Sequence, residues 1–285
     1  MNYKDQEGLR KSFNELALST FGISFENWYQ KGYWGGKYIP YSFEADGRIV
    51  SNISVNISKL CINGEQKRAV QIGTVMTHPG FRGRGLSRKL MEKVMADFNT
   101  YELFYLFANS SVLGYYPKFG FLPVEETLFH MDCPAAVGGK GELRKLNGAN
   151  PYDLDFIYRK ALNRIPVSEC FGTLDTAEIL MYHCMNGFSG DLYYAAEVDA
   201  LVIARHEGDC LHLFDVISGR NVPLSFILPL LAAIETKTVI FHYTPDLKEN
   251  PMEGRKFCGS EVLLVKNLSG TAMPPAFKHP ITSQA

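Results

Sequence analysis

The spacing of apolar and polar positions predicts alternating helices and strands along the first half of the chain. Positions Leu9, Phe13 and Leu16 recur at helical spacing, and from residue 38 onward the period changes to that of strands. Asp46-Gly47 favours a tight hairpin turn between two of these strands. The predicted elements are helical residues 4–34 with a break at Gly22, strands 38–45, 49–57 and 69–76, a loop 78–85, a helix 86–98, a strand 103–108, a helical segment 110–118 and a strand 124–131.

The second half repeats this order of elements. It is predicted to contain helices 151–163 and 175–185, strands 192–197, 200–206 and 210–216, a helix 223–235, strands 238–243 and 261–265, and an irregular tail from Ser269. We interpret the recurrence as a diverged internal repeat. The sequence therefore predicts an α/β (α+β) fold with two tandem domains, 1–133 and 142–285, joined by a small, flexible linker at 134–141.

Composition narrows the function classes. The formal net charge of −1 gives no basic field for nucleic acid or for a membrane surface, so neither is expected as a partner. The N-terminus carries no apolar run of a signal peptide, and the longest apolar stretch, 226–234, is half the length of a membrane span. The six cysteines lie far apart without metal-ligand spacing. We expect a cytoplasmic protein with reduced thiols and no metal.

The most informative segment is the glycine-rich loop that joins a strand to a helix at residues 75–87. Unpaired amides at a helix N-terminus, helped by Arg82 and Arg84, suit an anion; the alternative is a basic surface turn. The dinucleotide fingerprint fails because Arg88 stands at its third glycine. A nucleotide-hydrolysing P-loop fails because Leu86 stands where the lysine is needed.

Two segments in frame resemble the GNAT acetyltransferases. Residues 82–87 (RGRGLS) resemble the pyrophosphate loop R/Q-x-x-G-x-G/A, with Ser87 in place of Gly or Ala. Residues 109–121 resemble the segment N-x-x-A-x-x-L-Y-e-K-x-G-F, with Val112 and Tyr115 in place of Ala and Leu. The resemblance covers roughly residues 5–131, and the usual N-terminal strand of the family is short or absent.

The resemblance implies an N-acetyltransferase that moves an acetyl group directly from acetyl-CoA, its co-substrate, to a primary amine of a small molecule or peptide. It implies that Tyr116 protonates the thiolate, because a phenol of pKa about 10 can donate to a thiolate of pKa about 8.5. The alternatives are that Tyr116 only packs the core and that Tyr115 is the acid. Asn109 either binds the cofactor arm or caps the next helix. The implied cofactor-binding residues are Val75, Met76, Thr77, Arg82, Gly83, Arg84, Gly85, Leu86, Ser87 and Asn109.

Some parts of this interpretation stay open. No general base stands out, and Glu26, Glu44 and a water chain are all candidates. The second half lacks a glycine-rich loop, as in the Eis-like acetyltransferases, where an active domain precedes a degenerate one. Those proteins add a sterol-carrier-like domain whose terminus reaches the active site; this chain has no room for it, so we do not expect Ala285 to take that role. A non-catalytic acyl-CoA sensor is the alternative function, and a homo-oligomer is left open.

Overall fold

Two mixed β-sheets, each flanked by helices, form the protein in the computed structural model, which describes residues 3–133, 141–246 and 252–285. The predicted linker at 134–141 therefore lies almost wholly outside the described residues. The helices are α1 Glu7–Phe21, α2 Glu26–Gln30, α3 Leu86–Asp97, α4 Pro151–Leu162, α5 Ala177–Met185 and α6 Leu224–Leu231. No helix of the described ranges combines the length and apolar character needed to cross a bilayer.

Seven described strands make up each sheet. The first sheet contains β1 Tyr38–Ala45, β2 Arg48–Ile62, β3 Glu65–Thr77, β4 Leu103–Asn109, β5 Leu122–Pro123, β8 Phe171–Leu174 and β14 Glu261–Asn267. The second contains β6 Thr127–Asp132, β7 Leu143–Leu146, β9 Leu192–Ala195, β10 Ala200–Glu207, β11 Cys210–Ile217, β12 Thr238–Phe241 and β13 Glu253–Lys256.

Local sequence explains where several elements begin and end. Helix α1 buries Phe13 and Leu16 and ends at Gly22, whose left-handed backbone (φ 72°) lets its N–H bond to Leu18 O. The turn between β1 and β2 places Asp46 and Gly47 at positive φ, as a primed hairpin turn requires. These features were all predicted from the sequence.

The two sheets repeat one topology, which confirms the predicted tandem arrangement. Strands β1, β2 and β3 are antiparallel, and α3 then leads into β4, which is parallel to β3. Strands β9, β10 and β11 follow the same course, with α6 leading into the parallel strand β12. Each sheet therefore has one helix-connected parallel pair inside an otherwise antiparallel arrangement.

The halves exchange strands, which the sequence analysis did not foresee. We expected the strand near 124–131 to close the first sheet; instead β6 pairs with β12 in the second sheet. The strand at the C-terminal side, β14, pairs with β4 and β5 in the first sheet. Strand β8 also crosses over, to pair with β2. Both sheets thus contain strands from both halves of the chain, and the predicted boundaries describe the sequence order rather than separate sheets.

Three further expectations need correction. Residues 110–118 do not form one helix but two 3₁₀ turns, Ser110–Val112 and Tyr116–Phe119, because Pro117 has no N–H to continue a helix. Helix α6 ends at Leu231, and Ala232 is already extended. The sequence analysis missed the short strands β7, β8 and β13.

The tail is irregular, as predicted, but its second part is buried between the sheets. Residues Phe277, Lys278 and His279 are almost fully enclosed. Lys278 Nζ lies 2.9 Å from Glu126 Oε1, and this ion pair is itself buried. The Tyr105 ring packs on His279 at 5.2 Å between centroids. The tail is therefore part of the interior of the protein.

Candidate functional site

Strands β3 and β4 separate halfway along their length and open the first sheet. Their parallel pairing runs from Ala69 and Leu103 to Ile72 and Leu106 and ends there. Beyond this point β3 continues to Thr77 alongside β2 only. The edge of β3 formed by Val75, Met76 and Thr77 therefore faces an opening instead of a partner strand.

A bulge in β3 marks the start of this opening. Thr74 has a φ of 48°, which is a strained conformation for a β-branched residue. Its carbonyl oxygen accepts from Asn52 Nδ2 at 2.9 Å, and its hydroxyl lies 2.7 Å from the Tyr38 hydroxyl. The register shift between Asn52 and Ser54 lies opposite the bulge. No sequence signal identified Thr74, because a threonine gives no hint of a left-handed backbone.

The glycine-rich loop leads from the opening to α3. Gly83 and Gly85 both have left-handed backbones (φ 76° and 72°), and a Cβ on either would meet no atom within 4 Å. Arg82 Nε donates to Thr77 O at 3.2 Å, and Arg84 Nη2 donates to Gly80 O at 3.0 Å, so both arginines are folded onto the loop.

The first turn of α3 is uncapped. Its N-cap residue Gly85 offers no side-chain hydrogen bond, and the first intrahelical bond runs from Lys89 N to Gly85 O. The amides of Leu86 and Ser87 precede that bond, so the helix itself supplies no acceptor for them. The loop therefore joins free amides, guanidinium groups and a helix N-terminus at one place, which suits an anion.

Tyr116 lies in the core between α3 and the first sheet, yet its hydroxyl is not enclosed. Its ring packs against Tyr115 and Phe121. The hydroxyl forms no hydrogen bond with the described residues. Because it is also not one of the polar side-chain atoms that are buried without a partner, part of its surface is accessible to solvent. Burial, followed by the nearby Tyr115 and Glu261, raises the pKa of Tyr116 to about 12. Tyr115 differs, because its hydroxyl is held 2.8 Å from Ser87 Oγ.

Asn109 ends β4 and caps the turn that follows. Its Oδ1 accepts from Ser111 N at 3.1 Å and from the Ser111 hydroxyl at 2.5 Å. This is the capping role that the sequence analysis weighed against cofactor binding.

The candidate bases lie in unlike environments. Burial alone would raise the pKa of Glu26, but hydrogen bonds from Arg10 and Gln30 outweigh it and lower that pKa, which weakens Glu26 as a base. Glu44 is exposed on β1. Gln71, on β3 just before the opening, is fully buried, and both polar atoms of its side chain lack a partner.

The tail reaches the opening. A Cβ on Gly73 would lie 2.9 Å from Ala285 O and 3.1 Å from Ala285 C, so the backbone of Ala285 lies against the bulge. The hydroxyl oxygens of Ser283 and Thr173 lie 2.7 Å apart, and His183 Nε2 donates to Gln284 O at 2.7 Å, so the segment is held there. The tail reaches this place by running between the sheets.

A cleft of about 600 Å³ opens beside the loop. It lies between α1, the β1–β2 turn and the start of the loop at His78 and Phe81. Glu15 and Asp46 line it, together with Arg48. This volume is within the range of small-molecule sites. In the described part of the chain, no group of His, Cys, Asp and Glu side chains is arranged to hold a metal ion.

Comparison with known proteins agrees with this geometry. Residues 13–124 match the model of the acetyltransferase (GNAT) domain. No curated protein matches the chain significantly in sequence.

Solved structures with a similar fold cover nearly the whole chain. A conserved protein of unknown function from Enterococcus faecalis V583, described as a probable N-acyltransferase, has a TM-score of 0.65 at 15% identity, over 94% of this chain and 71% of that one. Eis1 from Mycobacterium abscessus has a TM-score of 0.58 at 10% identity, over 94% and 73%. A GCN5-related N-acetyltransferase from Kribbella flavida has 0.56 at 13%, over 94% and 70%.

At these identities the structural likeness establishes the fold, and the family model establishes the domain. The chain therefore carries a GNAT acetyltransferase domain over residues 13–124, and a second sheet of the same topology continues the fold that it shares with these solved structures.

Proposed function

We propose that the protein is an acetyl-CoA-dependent N-acetyltransferase that transfers the acetyl group directly to a primary amine of a small molecule or peptide. The observation that carries the proposal is the uncapped start of α3, with the two left-handed glycines Gly83 and Gly85 in front of it, next to the opening between β3 and β4. The open space before both glycines fits a pyrophosphate that approaches the backbone closely.

The loop, the edge of β3 and Tyr116 each have a task that their surroundings support. The amides of residues 83–87 and the charges of Arg82 and Arg84 would bind the pyrophosphate. The unpaired edge of β3 at Val75, Met76 and Thr77 would hold and polarise the thioester carbonyl. Acetyl-CoA supplies the activated acetyl group. The Tyr116 hydroxyl is protonated near neutral pH, because even the ordinary pKa of a phenol, about 10, lies well above 7, so Tyr116 could donate the proton that the departing thiolate needs.

Both halves of the chain would form the acceptor side. The Tyr182 ring on α5 packs against Phe25 and Trp28, and Ala285 lies against the bulge, so the second half would wall one side of the acceptor path. Glu15 and Asp46 form no ion pair with the described residues, which suits a cationic amine in the cleft. We propose that the reaction takes place in the cytoplasm, because all six cysteines are described and none forms a disulfide.

One observation favours the alternative of a non-catalytic acyl-CoA sensor. The neutral side chain of Gln71 stands on β3, where a carboxylate base would be expected. The two functions differ in one measurement, the release of free thiol from acetyl-CoA in the presence of a panel of amines. Amine-dependent thiol release supports the enzyme. Calorimetric binding of acetyl-CoA without thiol release would favour the sensor, and the absence of binding would contradict both.

A further inference from the structure

Two departures from the GNAT motifs contact each other in the structure. Ser87 stands where the loop motif has Gly or Ala, and Tyr115 stands where the second motif has Leu. Their hydroxyl oxygens lie 2.8 Å apart, so either hydroxyl can donate to the other. A Gly or Ala at position 87 and a Leu at position 115 could not form this bond. The bond therefore gives one structural reason for both departures from the motifs.

The bond joins the two segments that the proposed reaction has to hold together. Ser87 lies in the uncapped first turn of α3, and Tyr115 begins the 3₁₀ turn Tyr116–Phe119. Among the described residues, it is the one side-chain hydrogen bond between α3 and residues 110–120. The neighbouring Tyr116 hydroxyl has no hydrogen bond of its own in the described structure, so ring packing alone orients it.

Tyr115 also restricts Tyr116 directly. The two rings are T-shaped with centroids 5.2 Å apart, and the other side of Tyr115 contacts Phe119 at 5.1 Å. A hydroxyl anchored on α3 fixes the Tyr115 ring, and that ring forms part of the wall against which Tyr116 packs. Movement of Tyr115 would therefore change the position of the Tyr116 hydroxyl relative to the loop.

We propose that Tyr115 is a positioning residue for acetyl transfer: held on Ser87, it fixes the Tyr116 hydroxyl relative to the loop that binds the pyrophosphate. The inference rests on the proposed function, because it assigns Tyr115 a part in that reaction. Proton transfer depends steeply on the distance between donor and acceptor, so a small displacement of Tyr116 lowers the rate of the chemical step.

The test is a double-mutant cycle with Tyr115→Phe and Ser87→Ala. Each substitution removes one hydroxyl and leaves the backbone amides of the loop in place. We expect kcat to fall at least about fivefold in each variant, the effect of one hydrogen bond, while the Kd for acetyl-CoA changes by less than about twofold. The double variant should be no slower than either single variant, because both remove the same bond.

Tyr41→Phe is the matched control. Its hydroxyl donates to Asp97 Oδ2 at 3.0 Å, at the other end of the same helix, and its ring packs on the same core. Tyr41→Phe should lower the melting temperature about as much as Tyr115→Phe and leave kcat unchanged. Unchanged kcat in Tyr115→Phe, additive losses in the cycle, or an equal loss of kcat in Tyr41→Phe would each overturn the positioning role while the proposed function stands. A wild-type chain without any acetyl transfer would overturn both.

Discussion

Gly85 is the position where the proposed cofactor site can be tested most sharply. Its backbone is left-handed (φ 72°, ψ 13°), and a side chain there would extend into the open space where the pyrophosphate is proposed to bind. Gly85→Val therefore has two separable effects. The left-handed backbone costs a residue with a side chain about 1–2 kcal/mol of stability. The valine methyl groups would also keep the phosphate oxygens away from the amides.

Gly22 allows the first effect to be measured alone. It has nearly the same backbone (φ 72°, ψ 18°), and a Cβ on it also meets no atom within 4 Å, but it ends α1 instead of beginning α3. Gly22→Val and Gly85→Val should thus lose similar amounts of stability, with melting temperatures a few degrees lower.

Only Gly85→Val should lose acetyl-CoA binding. One hydrogen bond to a charged group contributes about 1.5–3 kcal/mol, or roughly 10- to 100-fold in Kd. Because the valine would displace the pyrophosphate from more than one amide, we expect Kd to rise at least about 100-fold. Isothermal titration calorimetry on both folded variants measures this difference. A Gly85→Val protein that binds acetyl-CoA within a few-fold of wild type would refute the placement of the pyrophosphate at this loop.

Three further predictions concern the acid, two buried histidines and the anchored tail. Tyr116→Phe should lower kcat by about 10²–10⁴-fold with a nearly constant Kd for acetyl-CoA. If the variant keeps most of the wild-type kcat, Tyr116 only packs the core. Burial lowers the pKa values of His242 and His279 to about 3, so between about pH 6.5 and 3 the unfolded chain binds protons that the folded chain does not. The free energy of unfolding should therefore decrease as the pH is lowered through this window, by up to about 1.4 kcal/mol per pH unit for each histidine. Calorimetric melting temperatures that stay flat from pH 7 to 5 would contradict this. Lys278→Met leaves the Glu126 carboxylate buried without its cation and should lower the free energy of unfolding in urea by about 3–5 kcal/mol. Adding Glu126→Gln should restore part of this loss. A loss below about 1 kcal/mol would mean that the tail is not anchored there.

Features with local causes were predictable from the sequence. Gly22 ends α1 and Asp46-Gly47 turns the first hairpin because each needs only a left-handed backbone that its own residues supply. The spacing of Gly83 and Gly85 identified the loop in the same way. The position of Tyr116 in a second motif pointed to the turn where its hydroxyl is found.

Features that depend on contacts distant in sequence were not predictable. Strands β6 and β14 both have strand-like patterns, and a pattern does not state which of two similar sheets a strand will join. The sequence predicted an irregular tail but not its burial, because only the structure reveals the buried Glu126 that pairs with Lys278. The strain at Thr74 arises from a bulge whose hydrogen bonds come from two other strands, so the sequence of β3 alone gives no sign of it.

The exchanged strands also determine how the number of cofactor sites has to be measured. A fragment from residue 142 onward would lack β6, which pairs with β12, so the whole chain is the right sample. In the second half, β11 ends at Ile217, and the N-cap of α6 is Pro223, which has no N–H.

The space at that second junction is also small. The cavity there has a volume of about 40 Å³, whereas small-molecule sites are usually about 300–1,000 Å³. We therefore expect one acetyl-CoA per chain. Titration of the full chain should give a stoichiometry of one, and Gly85→Val should remove the binding heat completely, whereas Gly219→Ala, at the second junction, should leave it unchanged. A stoichiometry of two, or heat that persists in Gly85→Val and disappears in Gly219→Ala, would mean that the second half has kept a cofactor site.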